Sequence, residues 1–188
     1  MNFRIAPCVA FAGVTALAVM SNSSHAADAT PEPALYSHLE TFHGNVCAGS
    51  IFGARLGIAA KEALKEAGGT GRFTARYYDL SCPVAGIQID AGTTYGNKAL
   101  SVQDRDEHRL VLTASKNKRA VEASLTKKAE ELGLKSRDLG EKAKALPADS
   151  PERVKLEREI EDIYTRLKTA PTDEVVSIAL LTASQGRR

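Results

Sequence analysis

The sequence predicts an α+β protein with a small, mostly antiparallel sheet packed with helices. Three observations carry that prediction. Alternating runs such as "RFTARYYDL" (72–80) and "HRLVLTAS" (108–115) have the two-residue period of half-buried strands. Stretches such as "SPERVKLEREIEDIYTRLKTA" (150–170) have the 3.6-residue period of an amphipathic helix. The two kinds follow one another as helix, then strand-helix-strand-strand-helix-helix-strand, which is not the regular βα alternation of a parallel sheet.

The first residues read as an address and not as fold. Arg4 supplies a positive start, "IAPCVAFAGVTALAVM" (5–20) is an apolar stretch short for a membrane span, and Ser24 and Ala26 are the small residues of a cleavage site. The expectation is a signal peptide over 1–26 cleaved after Ala26, leaving a periplasmic or secreted chain without a stable membrane span. A flexible linker follows at 27–34 ("ADATPEPA", with two prolines), then a single domain over 35–184 and a disordered tail at 185–188.

"LYSHLETFHGN" begins with a short helix that sets Tyr36, Leu39 and Phe42 on one side. From Ser50, the apolar residues Ile51, Leu56, Ile58, Ala59, Ala63 and Leu64 recur at helical spacing, and Gly68 and Gly69 close the run. A strand over 72–80 leads to Cys82, and "PVAGIQIDAG" follows as a helix with proline in its first turn and Gly92 as its stop. "NKALSVQD" and "HRLVLTAS", separated by "RDE", suggest a hairpin. "KNKRAVEASLTKKAEELGL" (116–134) reads as an amphipathic helix. The next helix has Ser150 as N-cap, Pro151 in the first turn, and Val154, Leu156, Ile160, Ile163, Tyr164 and Leu167 along its apolar side. "EVVSIALLT" ends the fold as an apolar strand.

Charge excludes one class of function. Of 25 Lys+Arg, Arg4 leaves with the leader, so the mature chain sets 24 against 23 Asp+Glu. That balance, with acids interleaved through the basic-looking run 116–144, does not suit a nucleic-acid binder. The same stretch offers an apolar stripe that leaves a homodimer open. Ser-His-Asp order, H-E-x-x-H, a P-loop, a dinucleotide glycine fingerprint and C-x-x-C are all missing from the sequence, so nothing in it specifies catalysis.

Cysteine usage is more informative. Cys8 belongs to the leader, leaving Cys47 and Cys82, each just ahead of a helix N-terminus where unpaired N–H groups favour an electron-rich ligand atom. In an oxidising compartment two cysteines can form one disulfide. With His43 they also make an N/S set suited to zinc, or to Cu(I) as a softer alternative, and three protein ligands would leave a fourth position open. Asp90 is a candidate to orient His43 through a hydrogen bond. His38 and His108 read as surface residues, Gln88 as a core-edge residue and Lys98 as an exposed ammonium.

"FHGNVCAGSIFGARLGIAAKEAL" resembles the signature of the FmdE-like family of formylmethanofuran dehydrogenase proteins, in which an F-H-G-H-x-C-P-G-S-like stretch runs into a helix. "CPVAGIQIDAGTTYGNKAL" is similar to that family's second block, and "DEVVSIALL" falls where the family has its last strand. The resemblance implies an FmdE-like α+β fold and a metal site at His43, Cys47 and Cys82. It also implies an accessory role beside molybdenum or tungsten redox enzymes, without the cysteine-rich zinc ribbon of longer relatives. Departures are Asn45 for a second histidine, Ala48 for proline, Thr93 for cysteine and Ala85-Gly86 for Asp-Ala. The reading is an exported FmdE-like accessory or binding protein holding a metal ion, zinc before other transition metals. The alternatives are a disulfide-stapled binding module without metal, and a metal-dependent enzyme of unassigned substrate.

Overall fold

In the computed structural model of the chain, the described residues are 33–182. The expected leader, its cleavage after Ala26, most of the linker and the tail at 185–188 lie outside them. Within them run α1 (Pro33–His43), α2 (Ala48–Glu66), β1 (Phe73–Tyr78), α3 (Pro83–Ala91), β2 (Leu100–Val102), β3 (Glu107–Ala114), β4 (Ala120–Leu125), α4 (Lys127–Lys144), α5 (Pro151–Thr169), α6 (Thr172–Val175) and β5 (Val176–Leu181). The five strands form one sheet in the order β2-β1-β3-β4-β5. All neighbours are antiparallel except β1 and β2, so the α+β expectation with a mostly antiparallel sheet is met.

Two local expectations are corrected. β2 and β3 do not form a hairpin, because β1 lies between them and pairs in parallel with β2, Ala75 opposite Leu100. Parallel pairing needs a crossover, and α3 supplies it. The helix expected over 116–134 is instead a turn at 115–119, a strand and the first turns of α4. Val121, Ala123 and Leu125 alternate with Glu122 and Ser124 and face the core, and the chain becomes helical only after Thr126, whose hydroxyl accepts a hydrogen bond from Ala129 N at 3.2 Å. The real hairpin is β3–β4, with Lys118 at φ 57° in its turn.

The helix at 150–170 begins as expected, with the Ser150 hydroxyl accepting from Arg153 N at 3.3 Å and Pro151 in the first turn. On α1, Leu39 is fully buried, but Phe42 is 58% exposed and does not share its face. Residues three apart are offset by about 60° on a helix with 3.6 residues per turn, so Phe42 lies about 120° from Tyr36.

α2 is the centre of the molecule. Every residue from Ser50 to Gly57 is buried, with one side against Leu110, Leu112, Val121 and Ala123 of the sheet and the other against α3. The α2–α3 contact is close because glycines make it. A Cβ on Gly53 would stand 1.9 Å from the Pro83 carbonyl oxygen, and one on Gly86 would stand 2.2 Å from Ala54 N. The buried guanidinium of Arg55 reaches the end of α5, donating to the carbonyls of Lys168 at 3.2 Å and Ala170 at 2.6 Å. These last carbonyls have no partner within the helix, so a cation there both satisfies them and opposes the helix dipole. Among the described residues no helix is long and apolar enough to cross a membrane.

Candidate metal centre

The site forms where three chain segments end. α1 stops at His43, Gly44 turns the chain at φ 90°, and Cys47 caps α2 four residues after His43. Cys47 is held from both sides. Its N–H donates to Ser50 Oγ at 2.9 Å, its sulfur accepts from Ser50 N at 3.4 Å, and the Ser50 hydroxyl donates to its carbonyl at 3.0 Å. A sulfur in the place of a capping oxygen thus faces the α2 N-terminus. Cys82 occupies the equivalent position before α3, with Pro83 in the first turn, and its side chain makes no capping hydrogen bond.

The glycine contact brings these two helix starts together. A Cβ on Gly49 would lie 2.8 Å from Cys82 Cβ and 3.8 Å from Cys47 Sγ. His43 Nε2 is 3.9 Å from Cys47 Sγ, and the ligand atoms of His43, Cys47 and Cys82 all lie within 4.8 Å of one another. A tetrahedral zinc with Zn–N about 2.0 Å and Zn–S about 2.3 Å sets its ligand atoms about 3.5 Å apart. Neither cysteine is in a disulfide. Burial, and then the neighbouring Cys47 sulfur, push the Cys82 thiol up from its ordinary pKa. Two sulfurs side by side repel as thiolates, and a cation between them removes that penalty.

Residues of the expected set separate at this point. His43, Cys47 and Cys82 converge, while Asp90 does not join them. Asp90 is eight residues along α3 from Cys82, about 12 Å at 1.5 Å per residue. Its surroundings are Lys61, which donates to its backbone carbonyl at 2.9 Å, and Tyr36. Among the described residues Oδ2 of Asp90 has no hydrogen-bond partner, and burial raises its carboxyl to about 7 despite Lys61. Thr93 is fully buried beyond the far end of α3. Asn45, His38 and Lys98 are exposed and Gln88 is half-buried.

The sequence reading missed His108. Its side chain is 35% exposed, but it lies in β3 and not in a turn, and with Cys47, Cys82, Phe52, Arg137 and Tyr164 it lines a cleft of about 670 Å³. The register explains why. Tyr77 pairs with Leu110 and Tyr78 with Glu107, so His108 and Arg109 form a bulge against β1, and His108 keeps the alternation of Leu110 and Leu112. His108 Nδ1 lies 3.0 Å from Tyr77 Oη and 3.3 Å from Asp79 Oδ2, and the Ser81 hydroxyl donates to that same carboxylate oxygen. A second hollow of about 150 Å³, lined by Thr74, Arg76, Lys98 and Val111 among others, contains no histidine or cysteine.

The profile of the family described as FmdE, molybdenum formylmethanofuran dehydrogenase operon, matches residues 42–177. The chain belongs to the FmdE family. No curated protein is significantly similar to it. Among solved structures, it is similar to the crystal structure of a tungsten formylmethanofuran dehydrogenase FmdE-like protein from Syntrophus aciditrophicus. That likeness has 17% identity and a TM-score of 0.52, and covers 78% of this chain and 72% of the other. At that identity it bears on the fold, which is the FmdE-like α+β arrangement. The matched segment runs from the residue before His43 to the second residue of β5, so it spans the whole candidate centre.

Proposed function

We propose that this FmdE-family protein is an exported metal-binding accessory or binding module whose His43, Cys47 and Cys82 hold a zinc ion. One observation carries the reading: three ligand atoms of the N/S type come within 4.8 Å at two helix starts beside a cleft. The donor set fits zinc, a d¹⁰ ion that accepts thiolate and imidazole together, and Cu(I) fits the sulfurs but gains less from the imidazole. A three-residue set leaves one position for an exogenous ligand, and the adjoining cleft has the size of a small-molecule site. The export reading rests on the leader-like residues 1–26. A redox or molybdoenzyme partner and a homodimer are proposals that follow the family description and the apolar stripe along α4, respectively.

Cobalt(II) in place of zinc tests the donor set. The full chain should take one equivalent and show sulfur-to-cobalt charge-transfer absorption of a two-thiolate site. Cys47→Ser and Cys82→Ser should each remove about half of it, and His43→Ala should leave the charge transfer while weakening binding. Absorption that is unchanged in both cysteine variants would show that the metal sits elsewhere.

A further inference from the structure

Besides Cys47 and Cys82, the cleft is lined by an imidazole, His108, that the metal cluster does not use and that is backed by a carboxylate, Asp79. His108 Nδ1 faces two oxygens, Asp79 Oδ2 at 3.3 Å and Tyr77 Oη at 3.0 Å. Asp79 is 7% exposed and Tyr77 fully buried, and burial followed by the Asp79 charge raises the Tyr77 phenol above its ordinary pKa, so it stays protonated. Of the two neutral tautomers, the one protonated at Nδ1 donates to the Asp79 carboxylate and makes the charge-assisted bond. In that tautomer the lone pair is on Nε2, and His108 lines the same cleft as Cys47 and Cys82. The buried carboxylate beside His108 and the Ser81 hydroxyl on that carboxylate make His108 an oriented base.

We propose that His108, oriented by Asp79 and Tyr77, is the proton-accepting residue of this cleft, and that the cleft receives small molecules carrying an acidic hydroxyl. When such a ligand enters beside the His43/Cys47/Cys82 cluster, its O–H bond breaks, the proton passes to His108 Nε2 and the electron pair stays on the ligand oxygen. Nothing is oxidised or reduced. Asp79 then faces an imidazolium, and its negative charge stabilises that form. The other charged groups facing the cleft are Asp106 from the β2–β3 loop and Glu130 and Arg137 from α4. The proposal deepens the metal-binding reading and rests on it.

The test counts protons. Zinc is first titrated into the full chain. Acetohydroxamate, a hydroxamic acid neutral at pH 7, is then titrated into the zinc-loaded protein by calorimetry in two buffers of different ionisation enthalpy. The expected result is close to zero protons released to buffer by the wild-type protein and close to one by His108→Gln, with Glu130→Gln behaving as wild type. A wild-type release near one overturns the proposal without any variant, as does a His108→Gln release equal to wild type. It is equally overturned if Glu130→Gln alone raises the release, or if zinc binds and acetohydroxamate does not. A chain that fails the initial zinc titration overturns the metal reading itself, and the proposal with it. A purely structural role for His108 would change affinity or stability and leave the proton count unaltered.

Discussion

Gly53→Ala adds one methyl group where α2 touches α3, and the structure sets the size of the effect. The new Cβ would lie 1.9 Å from the Pro83 carbonyl oxygen and 2.6 Å from its carbon, all backbone atoms that cannot rotate away. Relief to an ordinary contact requires the start of α3 to move by on the order of 1 Å, and overpacking of this kind costs about 3 kcal/mol, the upper part of its usual range. Cys82 immediately precedes Pro83, so the same displacement separates its sulfur from Cys47. Zinc affinity should fall about tenfold or more, as it does when the support of a ligand is disturbed. The assay is urea unfolding of the metal-free chain, followed by zinc competition against a chromophoric chelator. Gly140→Ala is the control, because its Cβ would meet nothing within 4 Å on α4, and it should stabilise by about 0.5–1 kcal/mol through helix propensity. A Gly53→Ala protein with an unchanged urea midpoint and unchanged zinc affinity would refute the claim that glycine contact positions the site.

Two further outcomes follow from the same geometry. Ser50→Ala removes the buried hydroxyl that accepts from Cys47 N and donates to its carbonyl, and should cost about 1–2 kcal/mol by thermal unfolding while weakening zinc binding; unaltered stability would show that the cap contributes nothing. Asp90 gives a pH dependence: its carboxyl is near 3.9 when unfolded and about 7 when folded, so between those values only the folded state keeps the proton, and stability falls as pH rises through that window. The total is at most about 4 kcal/mol at 1.36 kcal/mol per pH unit. Asp90→Asn should flatten the slope of urea midpoint against pH from 4 to 8, and parallel profiles for the two proteins would contradict it.

Local signals are legible in the sequence where one element's own residues decide its structure. Ser150 and Pro151 start α5, the apolar period of 50–66 makes α2, and Cys47 and Cys82 stand before helices because the pattern changes just after each. The β4 segment reads as helix because Val121 and Leu125 are spaced i, i+4, which fits a helix as well as the strand alternation that Ala123 completes. The parallel β1–β2 pair is beyond local reading, since hairpin spacing cannot show that a third strand lies between. His108 is hidden by its acidic neighbours, and its place beside Tyr77 and Asp79 shows only in the tertiary structure. One signal was available: His108 shares strand parity with Leu110 and Leu112, both fully buried. Asp90 suggests itself as a partner of His43 through sequence proximity to Cys82, although eight helical residues carry it two turns away.

Whether His43, Cys47 and Cys82 together hold one metal ion is decided by native mass spectrometry of the full chain, isolated without chelator or reductant. The expected mass is heavier by one zinc ion, with the added mass lost in Cys47→Ser and Cys82→Ser and reduced in His43→Ala. A metal-free chain two hydrogens light, with Cys47 joined to Cys82, would overturn the metal centre.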